Sequence, residues 1–257
     1  MTGVRGVRGA SVEIPTADGV ADAYLARPDD GVAHPAVLLY MDAFGLRPPL
    51  EKMADRLAAA GYTVLVPNVF YRHGRAPVTE LPEFIDPARR PEIFQQLRPI
   101  MDSLTPEPAM RDAGAYLDWL AACPHAIGAP IGIAGYCMGA RLALRTAGAY
   151  PERVAAVAGF HGGGLATDAP DSPHLVAERV TAELYFGHAD QDPGMTAEQI
   201  GLLERTLVAA GVRHRGEVYA GALHGYTQVD TSSYDARADA RHRAALLDLL
   251  GRALRPV

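Results

Sequence analysis

Residues 131–139 read Ile131-Gly132-Ile133-Ala134-Gly135-Tyr136-Cys137-Met138-Gly139, and this stretch decides the fold. Its apolar beginning is typical of a buried strand, and the sequence from Met138 onward favours a helix. Cys137 is therefore predicted to lie in the tight turn between them. Glycine is needed on both sides of this turn because a Cβ atom would collide with the neighbouring strand and helix. The pattern Gly-x-nucleophile-x-Gly at such a turn is a nucleophile elbow, here with cysteine as the nucleophile.

The predicted turn also bears on the chemistry of Cys137. It places the sulfur at the positive end of a helix, which favours the thiolate. The alternative is a free cysteine that serves only as a small buried apolar side chain. The chain has 2 cysteines, the other being Cys123, and they form no disulfide framework. We therefore expect a reducing, cytoplasmic environment.

Composition limits the classes of protein that the chain can belong to. Its 257 residues suit one large domain, and 49% hydrophobic with 21% charged residues is ordinary for a soluble globular protein. The net charge of -6 argues against nucleic acid or an anionic membrane surface as the main partner. No apolar run approaches the roughly 20 residues of a membrane span. Residues 1–9 lack the apolar core of a signal peptide and are predicted to be a loose tail.

Strand and helix patterns alternate along the chain. Residues 11–15 and 21–25 alternate with period two around the turn at 17–19, which predicts an antiparallel hairpin. Residues 36–40 form the continuous apolar run of a strand buried on both faces, and residues 49–60 carry a helical apolar stripe. Further strands are predicted at 63–66, 131–134, 154–160, 182–186 and 215–219, and further helices from Met138 and at 196–210 and 234–254. This alternation predicts an α/β fold, with a mostly parallel central sheet and helices on both faces.

One stretch, residues 72–108, interrupts the alternation. It is rich in proline and charge, and it contains one short helical pattern around residues 93–97. Long excursions of this kind often form lids or pocket walls, although an ordinary surface insertion is the equal alternative. No linker or internal repeat divides the chain, so a single domain over residues 1–257 is predicted.

A catalytic cysteine needs a base, and the base needs an orienting carboxylate. In folds with a nucleophile elbow, the acid and then the histidine follow the nucleophile along the chain, on loops after later strands. Here the acidic turn 190–192 follows one predicted strand, and His224 follows the last. The carboxyl ends of strands in open α/β sheets are where catalytic groups gather. We therefore predict a triad of Cys137, an aspartate and His224.

Two aspartates of the acidic turn compete for the role of triad acid. Asp190 and Asp192 both follow the strand, and one of them is expected to act as a turn former. Asp192 is favoured because it lies nearer to the helix predicted from residue 196. The other histidines show no metal-ligand spacing, so neither a metal nor an organic cofactor is predicted. The run 159–164, Gly-Phe-His-Gly-Gly-Gly, is interpreted as a strand-end loop near the pocket.

The oxyanion of an acyl-transfer intermediate needs two backbone N–H donors. Met138 supplies one as the residue after the nucleophile, and the loop 42–45 after an early strand supplies the other. Ala43 is the residue that we select in this loop.

Taken together, these motifs resemble the dienelactone hydrolase (carboxymethylenebutenolidase) family of the α/β-hydrolases. The resemblance extends from about residue 11 to 254 and rests on the stretches 41–45, 61–68 and 135–139, the acidic turn, and Ala222-Leu223-His224-Gly225-Tyr226. It implies an α/β-hydrolase fold and hydrolysis of a small lactone or ester without a cofactor. It also implies that Cys137 is the nucleophile, Asp192 the orienting acid and His224 the base.

The resemblance further implies a set of substrate-binding or thiol-activating residues. Asp42 takes the position of a glutamate that contacts the resting thiol in the family, and it is one methylene shorter. Arg72 matches one of the arginines that bind the substrate carboxylate. The second such position holds Gln228, which removes one charge-assisted contact. Tyr136, inside the elbow, completes this set.

The leading hypothesis is a hydrolase that cleaves a small lactone or ester through a thioester on Cys137. One alternative is a tailoring enzyme of natural-product biosynthesis that acts on a lactone or epoxide with the same triad. Another is a thiol sensor or binding protein without turnover, because an activated cysteine is also a target for oxidation. A monomer or a homodimer is expected, with a small-molecule partner only.

Overall fold

The computed structural model describes residues 6–254, which contain one eight-stranded sheet. Its strands in chain order are β1 (Val7–Thr16), β2 (Gly19–Pro28), β3 (His34–Tyr40), β4 (Thr63–Pro67), β5 (Ala126–Tyr136), β6 (Val154–Phe160), β7 (Glu183–Ala189) and β8 (His214–Tyr219). They lie side by side in the order β1-β2-β4-β3-β5-β6-β7-β8. The hairpin β1–β2 and the pair β2–β4 are antiparallel, and every other neighbouring pair is parallel. The mostly parallel sheet predicted from the sequence is confirmed.

The α-helices cover both sides of this sheet. They are α1 (Pro48–Ala59), α2 (Arg90–Ser103), α3 (Pro106–Ala122), α4 (Met138–Ala149), α5 (Ala197–Ala209) and α6 (Ala236–Ala253). Short 3₁₀ helices lie at Tyr71–His73, Pro151–Arg153 and Pro173–Arg179. The arrangement is the α/β-hydrolase fold that the sequence predicts. No helix within residues 6–254 combines the length and the apolarity needed to cross a bilayer.

Burial explains why the central elements form where the sequence places them. Residues 36–40 of β3 and all of β4 are buried, as continuous apolar runs require in a strand covered on both faces. Helix α1 buries Leu50, Met53 and Leu57, the apolar stripe read from the sequence. The core therefore lies between the sheet and the helices on each face.

The N-terminal prediction needs a correction. Strand β1 begins at Val7, which pairs with Pro28, and Gly9 pairs with Ala26, so residues 7–9 belong to the sheet and not to a loose tail. The glycine is explained by space: a Cβ atom on Gly9 would lie 1.9 Å from the hydroxyl oxygen of Tyr24. Residues 1–5, the rest of the predicted tail, lie outside the described residues.

The stretch 72–108 is more helical than the sequence pattern indicates. Helix α2 extends well beyond the predicted 93–97 and includes Pro99. Helix α3, which the sequence reading missed, begins at Pro106 and buries Ala113, Tyr116 and Leu120 among others. Proline fits the first turn of a helix because the N–H it lacks would have no intrahelical acceptor there.

Candidate active site

Cys137 lies in a strained turn between β5 and α4. Its backbone dihedrals are φ 53° and ψ -118°, a conformation that residues with a side chain rarely adopt. The flanking glycines allow close backbone contacts: a Cβ atom on Gly135 would lie 2.3 Å from the carbonyl oxygen of Gly139, and one on Gly139 would lie 2.5 Å from that of Met41. The turn thus has the strained strand-to-helix geometry expected from the sequence pattern.

The structure brings Cys137, His224 and Asp192 together. His224 Nε2 lies 3.1 Å from Cys137 Sγ, and His224 Nδ1 donates a hydrogen bond of 2.6 Å to Asp192 Oδ2. Asp192 is buried, and its other carboxylate oxygen accepts the Gly194 N–H at 2.8 Å. This is the geometry of a nucleophile, a base and a group that orients the base.

Asp190, the competing aspartate, has a different task. Its Oδ2 accepts the backbone N–H of Gly221 at 2.8 Å, and its own N–H donates to the carbonyl oxygen of Ala222 at 2.7 Å. These two bonds join the loop after β7 to the loop after β8, which carries His224. Asp190 therefore helps to hold these two loops together, while Asp192 contacts the imidazole of His224.

The electrostatics of the pair favour a thiolate and an imidazolium. Burial raises the pKa of Cys137, but the His224 charge and hydrogen bond and the Met138 N–H outweigh it and hold this pKa below 9.0. Burial lowers the pKa of His224, but Cys137 and Asp192 outweigh it and raise this pKa from 6.5 to about 10. The pKa of Asp192 is lowered: burial opposes the shift, and its hydrogen bond to His224 dominates. Each charge stabilises its neighbour, as in a preformed ion pair.

The backbone around the sulfur offers donors for an oxyanion. The Met138 N–H is close enough to hydrogen-bond the Cys137 sulfur, and Ala43 lies in the loop after β3. Within residues 6–254, the Ala43 N–H donates to no acceptor, although the residue is buried. The contact between Gly139 and the Met41 carbonyl shows that this loop packs against the first turn of α4. Ala43 and Met138 are thus our proposed oxyanion-hole donors.

Asp42 is buried beside this site but is engaged by other groups. Its carboxylate accepts the Phe44 N–H at 2.9 Å and two hydrogen bonds from Arg47, at 2.8 and 3.1 Å. Arg47 also donates to both oxygens of Asp230, at 2.6 and 3.1 Å. The negative charge of Asp42 acts to raise the pKa of Cys137, against the effect of His224. Asp42 therefore holds Arg47 and the loop, and the lowering of the Cys137 pKa comes from His224 and not from Asp42.

Arg72 and Tyr136, two of the predicted substrate-binding residues, have partners within the protein. Arg72 donates to Asp112 at 2.7 and 3.0 Å and to Asp18 at 2.5 and 3.1 Å, so carboxylates of the protein already occupy its guanidinium. Tyr136 stacks on Phe160, with ring centroids 5.7 Å apart, and its hydroxyl lies 3.4 Å from His242 of helix α6. The sequence pattern alone could not reveal these partners.

Gln228 is the remaining member of that set, and it follows His224 on the same loop. It is 4% exposed, and its Oε1 accepts no hydrogen bond from any of the described residues. A Cβ atom on Gly225 would lie 2.4 Å from this oxygen, which explains the small residue after His224.

The loop 159–164 lies at the site, as its sequence suggested. His161 is fully buried and packs edge-to-face on His224, with ring centroids 5.3 Å apart, while its Nε2 pairs with Thr227 Oγ1 at 2.8 Å. Burial first, and then the neighbouring His224 charge, lowers the pKa of His161 well below 6.5. A neutral imidazole therefore covers one side of His224 without competing for its proton.

The ion pair leads to a testable prediction on thiol reactivity. We expect iodoacetamide to label Cys137 rapidly at neutral pH, with a rate that rises through an apparent pKa below 9.0, because the thiolate is the reacting form. Cys123, which is 7% exposed, is the internal control and should stay unlabelled in the folded protein. Peptide mapping after pulses at several pH values measures both rates. Equal labelling of the two cysteines, or a Cys137 profile with an apparent pKa of 9.0 or above, would contradict the ion pair.

Comparison with known proteins agrees with the fold and shows the family. The sequence profile of the dienelactone hydrolase family matches residues 21–254. The chain belongs to the dienelactone hydrolase family. A carboxymethylenebutenolidase of Rhodococcus opacus is 28% identical over 204 residues, which cover 79% of this chain and 74% of that protein. A protein of Methylorubrum extorquens, named as a candidate carboxymethylenebutenolidase, is 28% identical over 239 residues, covering 91% of this chain and 78% of its own.

Solved structures show the same fold. A candidate dienelactone hydrolase of Klebsiella pneumoniae superposes with a TM-score of 0.83 at 20% identity, covering 96% of this chain and 99% of that one. Membership of the dienelactone hydrolase family makes this protein a carboxylic ester hydrolase, as the sequence analysis predicted.

Proposed function

We propose that the protein hydrolyses the ester bond of a lactone or ester through a thioester on Cys137. The observation that carries the proposal is the continuous chain of contacts from Cys137 Sγ through the His224 ring to Asp192, at 3.1 and 2.6 Å. A sensor or binding protein would need the reactive thiol but neither the base nor the acid that orients it.

The first half of the reaction forms the thioester. The Cys137 thiolate attacks the carbonyl carbon, and the N–H groups of Met138 and Ala43 hold the negative oxygen of the tetrahedral intermediate. When this intermediate collapses, the C–O bond breaks and the His224 imidazolium gives its proton to the leaving oxygen. With a lactone, the new hydroxyl remains part of the same acyl group.

The second half releases the acid. His224, now neutral, takes a proton from a water molecule as the oxygen attacks the thioester carbonyl carbon. The second intermediate collapses with cleavage of the C–S bond, which regenerates the thiolate and leaves the imidazolium beside it. Asp192 keeps the Nδ1–H of His224 fixed throughout, so that Nε2 faces the sulfur and the water.

Hydrolysis of p-nitrophenyl acetate and of cis- and trans-dienelactone, followed against pH, tests the proposal. We expect kcat/KM to rise through the Cys137 pKa, below 9.0, and to fall again at about pH 10 as His224 loses its proton. The rise follows because attack needs the thiolate. The fall is expected for the lactones, whose leaving oxygen takes a proton from the imidazolium, whereas p-nitrophenolate leaves as an anion and its ester tests the rise. If the protein hydrolyses p-nitrophenyl acetate but neither dienelactone, its substrate is to be sought among other lactones and esters. Absence of hydrolysis of all three esters, despite rapid alkylation of Cys137, would favour the thiol sensor.

A further inference from the structure

A cavity of about 520 Å³ is lined by Met138, the residue after Cys137, and by three further residues of helix α4. Its other walls come from α2, the start of α3 and Asp171. This volume lies within the range of about 300–1,000 Å³ found for pockets that hold drug-sized ligands. The stretch 72–108 thus contributes a wall of the cavity through α2 and the residues that follow it.

The cavity has apolar lining residues, among them Met138, which follows Cys137 in the chain. Met138 and Leu142 on α4 face Phe94 and Met101 of α2 and Leu104 after it, and all five side chains line the cavity. Such a lining binds a hydrocarbon or aromatic body through burial of apolar surface.

Three arginines line the same cavity, and two of them come from α4. Arg141 and Arg145 follow Met138 on one face of this helix, at distances along its axis of about 4.5 and 10.5 Å from the rise per residue. Arg98 enters from α2. Along α4, Arg141 lies between Met138 and Leu142, and Arg145 lies beyond both.

Two of these arginines have no counter-ion in the protein. Among residues 6–254, neither Arg98 nor Arg141 forms an ion pair or a hydrogen bond, and Arg141 is half-buried. Arg145 differs, because its guanidinium donates to the Asp171 carbonyl oxygen and lies 3.7 Å from the Asp171 carboxylate. Burial first, and then repulsion by Arg141, lowers the pKa of Arg145, while Asp171 opposes this. A half-buried guanidinium without a partner is suited to bind an anion with two hydrogen bonds.

The charges in the cavity wall also indicate which anion fits. Asp102 and Asp171 line the cavity together with the three arginines, which leaves an excess of one positive charge. A carboxylate matches this excess, whereas a phosphate dianion would be repelled by both aspartates.

We propose that this cavity binds the acyl part of an ester or lactone that has an extended apolar body and a carboxylate remote from the scissile bond. Arg141 is the principal partner of that carboxylate, and Arg98 assists it from α2. The inference rests on the proposed function, and it changes the substrate from the compact lactone expected from the sequence to a larger acid ester. It also assigns the binding of the substrate carboxylate to helix α4 and not to Arg72, because Asp18 and Asp112 are already paired with Arg72.

The test compares p-nitrophenyl esters that share a leaving group. The monoesters of succinate, adipate and suberate are compared with p-nitrophenyl butyrate, hexanoate and octanoate. We expect the carboxylate to increase kcat/KM by about 10-fold or more for the longer acids, because only they reach Arg141. Arg141→Gln should lower kcat/KM for the suberate monoester by about 10- to 100-fold, mainly through a higher KM. The same variant should change kcat/KM for the octanoate ester by less than about 3-fold.

Matched variants and a second readout make the test decisive. Arg141→Lys should retain part of the preference for the carboxylate, and Arg75→Gln, at an exposed arginine paired with Glu13, should retain all of it. Free suberate should slow alkylation of Cys137 in the wild type but not in Arg141→Gln, even if no ester is hydrolysed. If no ester is hydrolysed but free suberate still protects Cys137 from alkylation, the proposed function is wrong and the carboxylate site remains supported. The carboxylate site would be overturned if Arg141→Gln affected charged and neutral esters equally. It would also be overturned if free suberate did not protect Cys137 from alkylation, or if the protein preferred a phosphate-bearing ester.

Discussion

Replacing Cys137 by alanine is expected to abolish ester hydrolysis, with a loss of about 10⁴-fold or more in kcat. The side chain lies 3.1 Å from the base, and within the described part of the chain no other cysteine or serine contacts His224. The fold should remain intact, because alanine removes one sulfur atom from a site that is already partly open to solvent. Initial rates with p-nitrophenyl acetate, together with circular dichroism spectra of both proteins, provide the measurement.

Two further variants distinguish a nucleophile from a structural thiol. Cys137→Ser should also lose most of its activity, because a serine hydroxyl is not ionised beside His224 as the thiol is. A double variant Cys137→Ala, His224→Ala should be no slower than either single variant, since residues that act as one unit are not additive. Activity near the wild-type level in Cys137→Ala, or multiplicative losses in the double variant, would show that another group carries the reaction.

Replacing Arg47 by methionine is expected to lower the free energy of unfolding by about 3–5 kcal/mol. Arg47 is 7% exposed and is the hydrogen-bonding partner of two carboxylates, Asp42 at 1% and Asp230 at 12% side-chain exposure. Its loss leaves two buried negative charges without compensation, and this cost exceeds the gain from a more apolar side chain. Urea-induced unfolding followed by tryptophan fluorescence measures the difference.

The control is a surface arginine of the same type. Arg75→Met breaks a pair with Glu13 in which both side chains are at least 60% exposed, so we expect a loss below about 1 kcal/mol. Adding Asp42→Asn and Asp230→Asn to Arg47→Met should restore part of the stability, because neutral amides remove the uncompensated charge. If Arg47→Met were as stable as Arg75→Met, the buried ion cluster would not hold the loop as described.

Local sequence patterns predicted the elements that bear the three residues of the proposed triad. The strand-turn-helix around Cys137 is recognisable because the apolar run, the flanking glycines and the helix start all lie within residues 131–139. The sites of Asp192 and His224 follow from the order of strands, since parallel strands end at one edge of the sheet. The contacts among these three side chains are those that this reasoning expects.

Interactions between distant segments could not be predicted in the same way. Arg47 pairs with Asp230 and Arg72 with Asp112, and nothing in either local pattern identifies these partners. The cavity depends on the packing of α2 and α3 against α4, and both prolines at the start of α3 were interpreted as part of an irregular stretch. Strand β1 was predicted to begin too late because residues 7–9 show no apolar alternation, and the space that Gly9 leaves for Tyr24 depends on the neighbouring strand.

The most direct test of the thioester mechanism is the mass of the protein during turnover. Rapid mixing with p-nitrophenyl acetate, acid quenching and intact-mass spectrometry should show one acetyl group, which peptide mapping places on Cys137. Neutral hydroxylamine should remove this group, as expected of a thioester, and Cys137→Ala should never acquire it. Turnover without any acylated protein, or with the acetyl group on another residue, would contradict the mechanism.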